Sequence, residues 1–126
     1  MLILTYMKKD NIIQTKSYDF AIRIVRLYQD LVKEQYEFIL SKQILRCGTS
    51  IGANIEEAIG GQSEKDFFAK ITIAYKEARE TRFWIRLLAD TDYIKNDLKN
   101  SLLKDVDIIL KIITSIQKTM KSKIQT

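Results

Sequence analysis

"RCGTSIGANIEEA", residues 46–58, gathers Gly48, Thr49, Ser50, Gly52 and Asn54 into one short window. Two readings compete for it: a glycine-rich loop that cradles a phosphate, or a helix whose small residues let a second helix come close. A P-loop needs Gly-x(4)-Gly-Lys-Ser/Thr after a strand, so that a lysine meets the phosphates. Here the spacing is Gly-x(3)-Gly, no lysine follows Gly52, and the flanks are helical, with Ile44, Gly48, Ile51, Ile55 and Ala58 recurring at intervals of three and four. Gly48 therefore sits on an apolar face, and Gly48 and Gly52, one turn apart, leave a shallow groove for another backbone. Each glycine costs roughly 1 kcal/mol against alanine in a helix interior, so close packing must return at least that much. The window is a packing helix.

The rest of the chain agrees. In 126 residues there is no proline and there are only four glycines, with 46% hydrophobic and 29% charged residues. Such a chain can run long uninterrupted helices, whereas a sandwich or barrel needs many more turn residues. Its length suits one domain with a real core. The single cysteine, Cys47, excludes an intramolecular disulfide and a Cys-rich zinc site, and its apolar helical surroundings suit a small buried hydrophobe. The absence of histidine removes the usual general base, the Ser-His triad and the Glu-x-x-His ligands of di-iron bundles. The first residues carry an apolar run too short to span a bilayer, with charges on the wrong side for a secretory signal, so a cytoplasmic location without membrane contact is expected. "MKKDNIIQTKS" from Met7 reads like a natural amino terminus, which makes Met1–Tyr6 an extension or an extra packing arm.

Periodicity predicts four helices, over about 16–34, 41–59, 64–90 and 96–121, preceded by an arm over 1–15, all in one domain spanning 1–126. In the first, Phe20, Ile24, Leu27 and Leu31 form the core stripe, with Ala21, Val25, Tyr28 and Val32 beside it. "QYEFI" (35–39) breaks the pattern. Gly60–Gly61 should end the second helix by supplying a left-handed position, and Ser63 with Asp66 resembles a capping box that opens the third. Phe67, Ile71, Ala74, Ala78, Thr81, Ile85 and Leu88 make its core seam, and Leu98, Leu102, Val106, Ile109, Ile113, Ile116 and Met120 make that of the fourth. The expected fold is an all-α, up-and-down antiparallel four-helix bundle.

Two further faces of the third helix are not ordinary solvent surface. One carries Ile73, Glu77, Glu80, Trp84 and Leu87, and a helix apolar on so many sides argues for self-association through Ile73, Trp84 and Leu87. The other aligns Phe68, Tyr75, Arg79, Arg82 and Arg86. Arginines interleaved with aromatics grip phosphates and stack on bases; alternatively they pair with Glu56, Glu57, Glu77 or Glu80 of the same or a neighbouring chain. The net charge is +5, and Lys118, Lys121 and Lys123 at the end of the fourth helix could meet an acidic partner or simply match the helix dipole. Neither a catalytic set, nor a metal site, nor a cofactor or small-molecule substrate emerges.

"KSYDFAIRIVRLY", "SKQILRCGTSIGANIEEAIGGQSEKDFFAKITIAYKEARETRFWIRLL" and the aliphatic last helix resemble the four-helix-bundle proteins encoded within intervening sequences of bacterial 23S ribosomal RNA genes, also called the S23 ribosomal protein family. The likeness spans roughly residues 16–116; the family's more usual serine is Cys47 here, and the segment before Met7 has no counterpart in it. The resemblance implies a cytoplasmic bacterial protein with no enzymatic activity, assembled as a homopentameric ring. A related branch, the accessory proteins of diversity-generating retroelements, is basic and works with reverse transcriptase and nucleic acid. Carried over, the ring interface would draw on the third helix, including Trp84, and RNA contacts on Arg79, Arg82, Arg86 or the Lys118–Lys123 end. The alternative is a scaffold that docks an RNA-processing or reverse-transcriptase partner without touching nucleic acid.

Overall fold

A computed structural model describes residues 2–124, with side chains described over 12–122. Four helices account for nearly all of it: α1 (Leu2–Lys33), α2 (Leu40–Ile59), α3 (Glu64–Asp90) and α4 (Asn96–Ile124). Among the described residues there is no strand. Each helix packs on the two that flank it around the bundle, α1 on α2 and α4, α3 on α2 and α4. Cross-helix bonds fix the directions. Gln14, in the first half of α1, donates to Glu56 at the end of α2, while Gln35 just past α1 donates to the Tyr93 carbonyl just before α4. The bundle is up-and-down and antiparallel.

The core is the sum of the four apolar seams. Phe20, Ile24 and Leu31 from α1, Ile44, Ile51 and Ile55 from α2, the whole Phe67–Leu88 series from α3, and Leu102 through Met120 from α4 are almost fully buried. Their three-and-four spacing keeps one stripe of each helix facing inward over its full length. Gly48 lies against Ile24 and Gly52 against the Ser17 backbone, so the small residues of α2 serve the α1 contact.

Several expectations change. Among the described residues no arm precedes the first helix: α1 begins at Leu2 rather than near residue 16. No proline or glycine interrupts residues 1–33, and Ile13, fully buried, extends the core stripe upstream of Phe20 by two turns. The role suggested for Met1–Tyr6 lies outside the described side chains. Val25 and Leu98, assigned to apolar stripes, are each 36% exposed. Leu98 lies in the first turn of α4, and Ile94 in the preceding connection fills that end of the core instead.

Gly60 and Gly61 do not adopt left-handed conformations; Gly60 has φ −81° and no glycine has positive φ. At the α2 end the Gly60 N–H donates to the Glu56 carbonyl and the Gly61 N–H to the Ala58 carbonyl, the second closing a tighter turn. Room at Gly61 is tight: a Cβ there would lie 3.0 Å from the Ala58 carbonyl oxygen, besides 2.7 Å from the movable Asp66 Oδ2. Among the described residues the left-handed positions are Tyr36 and Asp92, φ 54° and 69°, in the first and last connections. Ser63 does cap α3, its hydroxyl accepting from the Asp66 amide at 3.0 Å.

Candidate nucleic-acid interface

Antiparallel packing of α3 on α4 brings two predicted basic features into one place. Tyr75, Arg79 and Arg82 share a face of α3; Asp107, Lys111, Thr114 and Lys118 recur at intervals of four and three on the facing side of α4. Together they line an open groove of about 810 Å³. Arg79, Arg82, Lys111 and Lys118 supply four cations against the single carboxylate of Asp107. Tyr75, also in the groove lining, packs partly on the core, and of the cations around it Arg79, Lys111 and Lys118 are exposed.

Arg82 is anchored. Its Nε donates to Asp107 Oδ1 at 2.9 Å, with both side chains roughly half-buried. Arg79 is exposed and pairs with no acid among the described residues. Arg86, one turn beyond Arg82, and Lys121, beyond Lys118, are exposed and do not line the groove. Lys123 lies outside the described side chains.

The glutamates weighed as partners for the arginine ridge are engaged elsewhere. Arg46 of α2 bridges Glu77 at 3.2 Å and Glu80, Lys70 holds Glu57 at 2.9 Å, and Gln14 donates to Glu56. Trp84 Nε1 also donates to Glu80 at 3.0 Å, and this bond, with Arg46 adding to it against the effect of burial, holds the Glu80 carboxyl below its ordinary value. Among the described residues no cluster of three or more His, Cys, Asp or Glu is placed to hold a metal ion, and no helix is long and apolar enough to cross a membrane.

The residues expected at a self-association surface fare unevenly. Ile73 is 40% exposed, but Trp84 packs partly on the core and Leu87 is half-buried. Phe83, which belongs to none of the predicted seams, is 52% exposed and meets Trp84 edge-on, centroids 5.1 Å apart. More apolar surface lies on the outer face of α1, where Tyr18, Ile22 and Val25 are exposed, and on the α1–α2 connection, where Tyr36, Phe38 and Ile39 are. Lys111 is the groove cation that the sequence reading did not single out as a site; its place in the Asp107–Lys111–Thr114–Lys118 stripe was readable, but only α3 gives that stripe a partner.

Comparison with known proteins follows the same outline. The model of a family described as 23S rRNA-intervening sequence proteins matches residues 9–115. A crystal structure of a protein of unknown function from the S23 ribosomal protein family of Bacteroides thetaiotaomicron is 54% identical, with a TM-score of 0.86, over 87% of this chain and 98% of that one. No curated protein matches.

Proposed function

The chain belongs to the 23S rRNA-intervening sequence protein family, and from that premise we propose that it is a non-enzymatic, cytoplasmic, ring-forming oligomer that binds RNA through the α3–α4 groove. The observation that carries this reading is the convergence of Arg79, Arg82, Lys111 and Lys118, from two helices, on one groove with a single acid. Cations held on rigid helices neutralise phosphates without ordering a loop, and arginine adds a planar fork that matches a phosphate's oxygens. Repetition around a homopentameric ring would multiply a weak groove into a strong site. Exposed Ile73 and Phe83 on α3, and Tyr18, Ile22 and Val25 on α1, supply apolar surface for assembly.

The test is binding of structured ribosomal RNA and an unrelated RNA of equal length across a salt series, with mass by light scattering. The expected result is an oligomer whose affinity falls steeply as salt rises, and is lost when Arg79, Arg82 and Lys118 are changed together to glutamate. Unchanged affinity in that triple variant would sink the groove assignment.

A second reading has its own observation. Tyr36, Phe38 and Ile39 stand 75%, 50% and 75% exposed on one short connection, and Tyr36 is held in the left-handed region, uncommon for a bulky residue. A rigid apolar tip of this kind suits a protein partner. An oligomer indifferent to both RNAs even at low salt would favour this scaffold role, with a partner such as an RNA-processing enzyme.

A further inference from the structure

Asp107 is the one acid in a groove otherwise lined by cations, and simple electrostatics makes it a liability for any anion that enters. Its geometry gives it another role. The contact to Arg82 is made by Nε, at 2.9 Å, while neither Nη nitrogen has an acceptor among the described residues. A guanidinium carries its five N–H groups in one rigid plane, so fixing Nε fixes where the other four point. Both backbones are locked as well: Thr81 and Val106, the residues next to Arg82 and Asp107, are fully buried.

We infer that Asp107 is a positioning residue, which holds Arg82 by Nε so that its Nη groups stay available to a phosphate of the nucleic-acid backbone in the groove. The inference rests on the RNA-binding reading above. It makes the acid part of the anion site. An arginine freed of Asp107 would spread over many rotamers and surrender the paired hydrogen bonds that its fork can make. The two effects of removing Asp107 have opposite signs, so experiment can separate them. Loss of a negative charge tightens anion binding; loss of the anchor weakens it.

The experiment uses the full chain and a fluorescein-labelled, unstructured single-stranded RNA, with affinity read by anisotropy at low salt. Melting temperature and light-scattering mass serve as controls. Asp107→Ala should weaken binding by about tenfold, the scale of a lost charge-assisted hydrogen bond, despite raising the net positive charge. Asp107→Asn, whose amide oxygen can still accept from Nε, should bind at least as tightly as the parent protein. In an Arg82→Ala background, Asp107→Ala should cost nothing further. Equal or tighter binding by Asp107→Ala would overturn the inference, as would Asp107→Asn proving as weak as Asp107→Ala. The double change Arg79→Glu with Lys118→Glu separates the two levels. If it leaves affinity unchanged, the groove reading itself falls; if it abolishes binding while Asp107→Ala does not weaken it, only the positioning role falls.

Discussion

Gly48 and Gly52 look alike in the sequence, one turn apart on the same helix, yet their surroundings differ. A Cβ on Gly48 would sit 2.8 Å from both γ-carbons of Ile24, a fully buried, β-branched side chain that cannot swing aside. A Cβ on Gly52 would meet the Ser17 carbonyl oxygen at 3.4 Å, ordinary contact. Gly48→Ala should therefore destabilise the bundle by about 1–2 kcal/mol, overpacking outweighing the gain in helix propensity. Gly52→Ala should be neutral or stabilising by up to ~1 kcal/mol. Urea unfolding of both variants checks this, and equal effects would contradict the asymmetry. Cys47 next door is fully buried, and burial pushes its thiol up to about 11; it packs as a small hydrophobe, as its neighbours in the sequence suggested.

At the level of the helices, the start of α2 depends on a residue outside it. Ile39 at the N-cap makes no side-chain capping bond. The carboxylate of Glu37 instead accepts from the amides of Ile39, Leu40 and Ser41, the last at 2.7 Å, while the Ser41 hydroxyl donates back to the Glu37 carbonyl. These are the donors that a helix start leaves unpaired, and the negative charge also suits the positive end of the dipole. Burial alone would raise the Glu37 carboxyl, but the three amides outweigh it and hold it below its ordinary value. Glu37→Ala should cost about 1 kcal/mol, the usual scale for a lost cap, measured as a fall in melting temperature with the helical signal of the folded state retained. No Ser, Thr, Asp or Asn immediately precedes α2, so the usual capping pattern was absent from the sequence and Glu37 went unnoticed there.

Across the whole molecule, stability should respond to pH in an unusual shape. There is no histidine, so no side chain with an ordinary pKa changes charge between about pH 5 and 8. Glu37 and Glu80 are both held below the ordinary 4.5. On acidification the unfolded chain takes up their protons first, so the stability they contribute is present above 4.5 and is lost as pH falls through their lower folded values. Cys47 acts at the other end. Unfolded, it loses its proton near 9.0, while folded it keeps it to about 11, so its contribution is full below 9.0 and declines as pH rises towards 11. Melting temperature should thus be level from about pH 5 to 8, with an acid limb that becomes shallower in Glu37→Gln. A Glu37→Gln profile parallel to that of the parent would remove Glu37 from the account.

Helix count, helix seams and antiparallel order were legible because they follow from local quantities: period, the absence of proline, and short connections between long amphipathic segments. The Phe67–Leu88 seam is buried residue for residue as its spacing implied, since a stripe on a helix keeps its face wherever the helix goes. Arg79, Arg82 and Lys118 could also be picked out singly as cations off the core seams. That they share a groove, that Lys111 joins them and that Asp107 anchors Arg82 depends on the register of α3 against α4. Register is set by how side chains far apart in the chain interdigitate in the core, and no spacing within one helix encodes it.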